Sequence, residues 1–224
     1  MTQGLKIRDL KVQTPRGRVL LDVPALDVAP GTLLGLRGPS GAGKSTFLFA
    51  IAGLLEQAEG RVIWGDTDLL TLSPEGRTGF RGASIGFVFQ DFLLFDELSP
   101  LANASMAALF APRGQREAIR DRANRLLSGF GLSPEARDAA KFSGGERQRI
   151  AVARALAVDP GVILADEPTA SLDRASADRL VSDLVDSSLA AKRTLVVVSH
   201  DQTLLSQMTR VLTLQDGRIV EGDK

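Results

Sequence analysis

The segment GPSGAGKST (residues 38–46) limits the possible folds of this chain more than any other feature. It follows the apolar run GTLLGLRG (31–38) and opens KSTFLFAIAGLL (44–55), which is the strand, glycine loop and helix order of a phosphate-binding loop. Glycines let successive backbone N–H groups surround phosphate oxygens, and the helix N-terminus adds partial positive charge. The alternative is a glycine turn with a solvated lysine. We predict a nucleoside triphosphate site.

Within this loop, Lys44 is predicted to reach the β- and γ-phosphates, and Ser45 to ligate Mg²⁺. The residues predicted to hold the nucleotide are Gly38, Pro39, Ser40, Gly41, Ala42, Gly43, Lys44, Ser45 and Thr46.

Apolar runs that lead through a loop into a helical segment predict a parallel sheet covered on both faces. These runs are residues 31–38, VILAD (162–166) and TLVVVSH (194–200), followed by helices at 44–55, 174–190 and 201–208. Alternating segments with turn residues predict antiparallel strands instead. These segments are LKIRDLKV (5–12), RVLLDVPALDV (18–28) and RVIWGDTDL (61–69). The predicted class is α/β: a P-loop NTPase core with a mostly parallel sheet and an N-terminal antiparallel β portion.

The middle of the chain predicts a helical subdomain inserted into this core. SIGFVF (84–89) is a further strand candidate, but residues 91–158 are rich in Ala, Arg and Leu and are broken by Ser-Pro pairs at 99–100 and 133–134. The end, RVLTLQDGRIVEG, predicts a hairpin with Asp216-Gly217 at its turn. We expect one domain over residues 1–224, with no regulatory domain after the hairpin.

Two adjacent acids, Asp166 and Glu167, end the buried-looking run VILADE. Ligands collect at the carboxyl ends of strands in open α/β sheets. Asp166 is therefore predicted to join the Mg²⁺ shell, and Glu167 to polarise the attacking water. The alternative is two surface acids at the start of a loop. Pro168, which forces the chain to turn, argues against that alternative.

His200 is the only histidine of the chain, and a lone histidine is often structural or merely exposed. Here it ends a third apolar strand, so it is predicted to emerge at the same sheet edge as Lys44 and Asp166. From there it would hydrogen-bond the γ-phosphate or the attacking water.

The stretch KFSGGERQRIAVARALA (141–157) begins with Ser143-Gly144-Gly145 before a helical segment. Its backbone N–H groups and hydroxyl suit an anion, since glycine allows close approach. They equally suit a simple loop and helix N-cap. From the residues alone, both interpretations remain open.

The order of the motifs carries a resemblance to a known family. The chain has GPSGAGKST, Gln90, FSGGERQR, VILADE, SLD (171–173) and VSH in this order, which resembles the ATPase subunit of ABC transporters over residues 4–221. In that family these are the Walker A, Q-loop, signature, Walker B, D-loop and H-loop. The resemblance implies that Phe142 and Glu146 are variants that keep the Ser-Gly-Gly core of the signature.

The resemblance also implies how the site works. Two copies, or a copy and a paralogous ATPase subunit, would pair head to tail, and each ATP would lie between one Walker A and the partner's signature. The signature and D-loop residues expected to face the partner's ATP are Ser143, Gly144, Gly145, Glu146 and Asp173. The expected catalytic residues are Glu167, His200, Gln90 and Lys44. The expected Mg²⁺ ligands are Ser45, Gln90 and Asp166.

One departure concerns the nucleobase, because the family usually stacks adenine on an aromatic residue after the first strand. The chain reads KVQTPRGRV there and contains no tyrosine. A second resemblance is narrower: RGASIGFVFQDFLLFDELSPLANA is similar to compact subunits of the lipoprotein-releasing, macrolide-export and cell-division type. This implies a separate permease with few membrane spans. The family resemblance also implies that some apolar residues of the segment 92–98 line a groove for a permease helix; the alternative is that they only pack the helical insertion. These residues are Phe92, Leu93, Leu94, Phe95 and Leu98.

The expected function is an ATP-hydrolysing motor subunit, peripheral on the cytoplasmic face of the inner membrane through its permease. The alternatives are a non-transport ATPase of the same superfamily acting on DNA or the ribosome, and a binding module that has lost hydrolysis. The equal numbers of basic and acidic residues, 27 each, do not favour nucleic acid. The chain has no cysteine, which fits a reducing compartment, and no apolar run of membrane-spanning length.

Overall fold

The strands of the computed structural model form two sheets. The structure describes residues 2–134, 142–170 and 172–220. The four-stranded sheet has the order β2-β1-β4-β5, and the six-stranded sheet has the order β10-β9-β3-β8-β7-β6. The strands are β1 (Leu5–Gln13), β2 (Val19–Val28), β3 (Leu33–Arg37), β4 (Ala58–Trp64), β5 (Thr67–Asp68), β6 (Ile85–Val88), β7 (Val162–Asp166), β8 (Thr194–Val198), β9 (Arg210–Gln215) and β10 (Arg218–Val220).

Helices lie between these strands. The α-helices of the described residues are α1 (Lys44–Ile51), α2 (Pro74–Ser84), α3 (Pro100–Ala104), α4 (Arg113–Gly129), α5 (Gly144–Ala157), α6 (Arg174–Ala190) and α7 (Gln202–Ser206). Short 3₁₀ turns occur at Leu69–Thr71 and Met106–Leu109.

The six-stranded sheet is parallel from β9 to β6, so the carboxyl ends of β3, β8, β7 and β6 share one edge. Among the described strands of this sheet, β10 alone runs antiparallel, as the second strand of a hairpin with β9. The four-stranded sheet is antiparallel throughout. The predicted α/β class, with a parallel core and an N-terminal antiparallel portion, is confirmed.

The core has a layer on each face of the parallel sheet. Helix α1 lies between the two sheets, and its Phe47, Leu48 and Ile51 are fully buried there. Helices α5 and α6 cover the opposite face, with Val152 and Leu184 among the buried contacts. Burial on both faces explains why β7 and β8 are continuously apolar rather than alternating.

The segment 91–158 contains helices and no strand among its described residues. Helices α3, α4 and α5 pack on one another around Ala123 and Ile150. Helix α5 also packs on the parallel sheet through its other face, so it belongs to both layers. The extent of this insertion as a subdomain stays a prediction, and part of it lies outside the described residues.

Several element bounds differ from the sequence-based expectation for physical reasons. The predicted strand 61–69 is a hairpin, because Gly65 turns the chain at φ 58° between β4 and β5. No pattern described above predicts α2, whose start is a Ser-Pro pair. The hydroxyl of Ser73 accepts from Gly76 N at 3.2 Å, and the hydroxyl of Ser99 caps α3 in the same way. A Ser-Pro pair expected to break a helix therefore begins one.

Candidate active site

The glycine loop joins β3 to α1, as its composition predicts. Gly41 and Gly43 have φ values of 78° and 98°, a backbone region that residues with a Cβ atom rarely adopt. The Lys44 ammonium donates to the carbonyl oxygens of Gly38 at 2.9 Å and Pro39 at 3.1 Å, so it folds back over the loop. The loop therefore has the curled backbone and the cation that phosphate binding needs.

Strands β2 and β9 pack against the glycine loop, a contact that the sequence patterns did not indicate. A Cβ atom at Gly38 would overlap the carbonyl oxygen of Leu214, and one at Gly43 would lie 2.7 Å from that of Leu20. Gly217 N donates to the carbonyl of Ala42 at 3.0 Å. The sequence predicts the hairpin turn at Asp216-Gly217, but the contact of this turn with the glycine loop depends on the β9–β3 pairing.

Asp166 ends β7 as a buried carboxylate, with its residue only 5% exposed. Its Oδ1 atom is buried without a hydrogen-bond partner. Burial raises the pKa of Asp166 above its ordinary value, and the neighbouring Glu167 carboxylate acts in the same direction, whereas Ser45 and Lys44 oppose the rise. A buried carboxylate oxygen with no partner, beside a serine and a lysine of the glycine loop, is suited to a cation held together with phosphates.

Glu167 occupies a strained backbone position at the same edge. Its φ is 45°, a left-handed conformation that costs about 1 kcal/mol or more in a residue with a side chain. Its N–H donates to Val198 O at 2.9 Å, which ties the end of β7 to the end of β8. This bond holds the turn that directs the Glu167 carboxylate to His200.

The Oε2 atom of Glu167 lies 2.9 Å from Nδ1 of His200 and 3.4 Å from its backbone N. An ionised carboxylate only accepts, which assigns the proton of this contact to Nδ1. The Glu167 side chain is 13% exposed and the His200 side chain 75% exposed. A carboxylate and an imidazole thus form one hydrogen-bonded pair whose imidazole is open to solvent.

Gln90 follows β6, which pairs in parallel with β7 so that Val88 lies opposite Ala165. The strand direction therefore brings the exposed Gln90 to the edge that carries Asp166 and Glu167. One edge of the sheet thus carries the glycine loop, both acids and His200, and Gln90 follows the neighbouring strand end at the same edge.

The signature residues lie on other elements. Ser143 is the N-cap of α5: its hydroxyl accepts from Glu146 N at 3.3 Å, and the Glu146 carboxylate accepts from Ser143 N at 2.8 Å and from Ser143 Oγ at 2.9 Å. This is a reciprocal capping box. Gly144 and Gly145 form the first turn, and Gly145 packs so closely on α6 that a Cβ atom would lie 3.0 Å from Ser176 Oγ.

Asp173 caps the neighbouring helix in a similar way. Its Oδ1 accepts from Ser176 N at 3.0 Å, and hydrogen bonding by Ser176 lowers the pKa of Asp173 below its ordinary value. Ser143 and Asp173 are both exposed. The simple N-cap interpretation of Ser143 therefore describes its contacts within one chain, and both caps are accessible to another molecule. Ser171 of the SLD segment lies outside the described residues.

The turn at residues 14–18, which lacks the expected aromatic residue, lies near the glycine loop. It is closed by a hydrogen bond from Thr14 N to Arg18 O at 2.9 Å. Pro15, Arg16 and Arg18 are exposed on it, and Leu20, two residues later, approaches Gly43. The turn thus exposes a proline and two guanidinium groups and has no aromatic ring.

None of the helices in the described ranges is both long and apolar enough to span a bilayer. In the same part of the chain, no cluster of three or more histidine, cysteine or acidic residues is arranged to hold a metal by itself.

Comparisons with known proteins agree with this geometry. The ABC transporter family model matches residues 21–170. A lipoprotein-releasing system ATP-binding protein, LolD of Hyphomonas neptunium, is 42% identical over 198 residues, which cover 88% of this chain and 86% of that protein. An uncharacterised ABC transporter ATP-binding protein of Mycobacterium tuberculosis, Rv2564, is 40% identical over 96% of this chain and 66% of its own length.

Solved structures show the same likeness over nearly the whole chain. The ATP-binding cassette MJ0796, solved as a dimer in a post-hydrolysis state bound to ADP and Pi, superposes with a TM-score of 0.87 at 31% identity, covering 98% of both chains. CbiO1 of Clostridium perfringens, part of the ABC transporter complex cbiONQ, gives a TM-score of 0.84 at 26% identity over 99% of this chain and 88% of that one.

Proposed function

The chain belongs to the ABC transporter family, and from that premise we propose that it is the ATP-hydrolysing motor subunit of a transporter, which works as a head-to-tail pair and powers a separate membrane permease. The observation that carries this function is the sheet edge where the glycine loop, the buried Asp166 and the Glu167–His200 pair meet. A nucleotide-binding module without hydrolysis would not need a carboxylate held in a strained turn beside an imidazole.

The nucleotide is ATP in this proposal, held mainly by the backbone N–H groups of residues 38–46. Lys44, now bonded to two carbonyls of its own loop, would exchange them for β- and γ-phosphate oxygens. These contacts recognise the triphosphate and do not depend on the base.

Mg²⁺ is the cation that this donor set fits. Ser45 and Asp166 would hold it, joined by Gln90, and the buried Asp166 Oδ1 without a partner supports this assignment. Mg²⁺ usually keeps several waters and binds through one or two carboxylates plus substrate phosphates, so a cage of protein acids is not required. When bound, it would neutralise charge that develops on the phosphates.

Glu167 is the general base in the proposed reaction. Its carboxylate would accept a proton from the water that attacks the γ-phosphate, and His200 would keep the carboxylate aimed through the 2.9 Å contact. The exposed Nε2 of His200 would remain available to the γ-phosphate or the water. Gln90 would orient the water from the neighbouring strand end.

The evidence for a head-to-tail pair is the exposure of two helix N-caps, Ser143 of α5 and Asp173 of α6. The first turn of α5, with Ser143, Gly144, Gly145 and Glu146, offers N–H groups and a hydroxyl that one chain uses only for its own cap. Helix N-termini favour anions, so these groups would face the γ-phosphate held by the partner copy. Asp173 would contact the partner at the same interface. The dimeric form of the cassette MJ0796 supports this arrangement.

The permease contact is proposed for a groove between the α/β core and the helical segment. The groove has a volume of about 1030 Å³, and Phe110 at its wall is 87% exposed. Further lining residues are Leu54, Arg81, Phe87, Phe89, Ala111 and Ile119. Phe87 and Phe89 stack with ring centroids 4.2 Å apart, directly before Gln90. An apolar helix in the groove would therefore contact the residue next to Gln90.

The segment predicted for this contact, residues 92–98, does not line the groove. Leu93 and Phe95 are 53% exposed but form part of another surface, while Leu94 packs on the cluster of α3, α4 and α5. The proposed location is peripheral, on the cytoplasmic face of the inner membrane through the permease. No comparison favours the alternative of a non-transport ATPase acting on another macromolecule.

Phosphate release tests the proposal directly. Because each site needs two copies, turnover per subunit should rise with protein concentration, and magnesium chelation should abolish it. Turnover that is independent of protein concentration would contradict the paired site. Purification of the tagged subunit from solubilised membranes, with identification of any membrane protein that co-purifies, tests the permease partner.

A further inference from the structure

The segment that follows Gln90 is held in an unusual backbone conformation. Phe92 and Leu93 have φ values of 61° and 48°, and two consecutive left-handed residues with bulky side chains are costly. Such a conformation persists only where surrounding contacts impose it. The contacts at Phe92 and Leu93 that can impose it include two from α5, the helix that begins with the signature.

Arg154, in the last turn of α5, makes the principal contact. Its guanidinium donates to the carbonyl oxygen of Phe92 at 2.6 Å and to that of Leu93 at 2.5 Å. The left-handed backbone turns both carbonyls toward the same guanidinium, and the fork of an arginine matches two adjacent acceptors. Burial lowers the pKa of Arg154, but the pKa of an arginine is high enough for the group to remain charged.

A second contact from the same helix face reaches the same segment. Arg147 Nη1 lies 2.8 Å from Asp96 Oδ1. Residues 147 and 154 are seven positions apart, which places them on one face of an α-helix two turns from each other. Asn103 of α3, fully buried, holds the far end of the segment by exchanging hydrogen bonds with Phe95 N and O, both at 2.9 Å.

These contacts give Arg154 a role in the reaction. We propose that Arg154 is a positioning residue that sets Gln90 against the nucleotide and joins that glutamine, through α5, to the signature that serves the partner's ATP. The proposal rests on the proposed function, in particular on Gln90 joining the Mg²⁺ shell and orienting the attacking water. Arg154 would act through these two carbonyls and not on a nucleotide itself. Loss of its two hydrogen bonds would release the strained turn, and Gln90 would lose its place at the sheet edge.

A double-mutant cycle with Arg154→Met and Gln90→Ala tests this on the full chain. If Arg154 acts through Gln90, each single variant should lower kcat about tenfold, and the double variant should also lose about tenfold, not the roughly hundredfold expected of independent residues. ATP affinity of the monomer should change less than about twofold, because the glycine loop is intact. Arg154→Lys, which restores a donor, should recover part of the lost turnover.

Arg122→Met is the matched control. The Arg122 guanidinium also donates to a carbonyl near the end of α5, that of Ala157 at 2.7 Å, but not to the segment after Gln90. If Arg122→Met and Gln90→Ala act independently, the fold-decrease in kcat of the double variant should equal the product of the two single fold-decreases. If the Arg154 and Gln90 losses multiply as well, or if Arg154→Met keeps wild-type turnover, the inference is overturned.

Two further arms keep the test decisive. If Arg154→Met does not fold, Arg154→Lys, which cannot donate to both carbonyls as the guanidinium fork does, replaces it in the cycle, and independence from Gln90→Ala then overturns the proposal. If wild-type protein shows no magnesium-dependent ATP hydrolysis, the proposed function fails instead. If Gln90→Ala alone leaves kcat unchanged, the role assigned to Gln90 fails, and with it the inference about Arg154.

Discussion

Glu167 Oε2 lies 2.9 Å from His200 Nδ1 and joins the ends of two adjacent parallel strands, β7 and β8. The two residues are 33 positions apart in the chain. A backbone bond from Glu167 N to Val198 O, 2.9 Å long, keeps these strand ends together. This pair is the part of the candidate site whose geometry most directly supports proton transfer from water.

Glu167→Gln should lower the rate of ATP hydrolysis by about 10²- to 10⁴-fold, because an amide has the same shape but cannot accept a proton from water. ATP binding should persist, so a stable ATP-bound dimer should appear in size-exclusion chromatography. Glu56→Gln, at an exposed position outside the site, is the matched control. Near-normal turnover of Glu167→Gln would mean that another group is the base.

Ser143→Arg should abolish turnover and leave ATP binding to monomers unchanged, since Ser143 caps α5 and is remote in sequence and element from the glycine loop. The bulky cation would block the face offered to the partner's nucleotide. Fluorescent-nucleotide titration of monomers and phosphate release at several protein concentrations are the measurements. Weaker ATP binding by variant monomers would place Ser143 in the local site and contradict the head-to-tail pair.

Glu146→Gln should strengthen ATP-driven dimerisation. The Glu146 carboxylate accepts two hydrogen bonds from Ser143 and places a negative charge where the partner's γ-phosphate would approach. Glutamine keeps the reciprocal cap, so Tm should change little. The ATP concentration at half-maximal dimerisation, measured in a Glu167→Gln background, should fall severalfold. An increase would show that this carboxylate does not oppose the nucleotide.

GTP should bind within about tenfold of ATP, a difference of only about 1.4 kcal/mol. The turn at 14–18 offers Pro15, Arg16 and Arg18 but no aromatic ring, and stacking on such a ring is worth about 1 kcal/mol. Thr14→Tyr or Pro15→Tyr should tighten ATP binding. A hundredfold preference of the wild-type protein for ATP would show that another group reads adenine.

Phe110→Glu should abolish binding to the permease and keep the ATPase activity of the isolated subunit. Phe110 is 87% exposed at the groove, so a charge there should not disturb folding. Phe95→Glu, a similarly exposed phenylalanine outside the groove, is the comparison. If Phe95→Glu abolishes permease binding and Phe110→Glu does not, the permease contacts segment 92–98 instead of the groove.

Much of the candidate site was predictable because its residues sit where strand ends must place them. Lys44, Asp166 and His200 follow three apolar runs of one parallel sheet, so their meeting at one edge follows from the direction of the strands. The α/β class followed from the same runs. The role of Ser143 could not be predicted from the residues alone. A helix N-cap and an anion-binding signature use the same residue types, so the sequence did not distinguish between these two interpretations.

The sequence by itself determined the local chemistry of the glycine loop and the paired acids, and the apolar strands that carry them, because these depend on backbone freedom and on the apolar pattern of short segments. Only the tertiary structure decided which distant groups support that chemistry. Gly217 reaches the glycine loop through strand pairing, and Arg154 reaches the carbonyls of Phe92 and Leu93, 62 and 61 positions earlier in the chain. Contacts between elements far apart in the chain arise from packing, which has no periodicity that a single sequence displays.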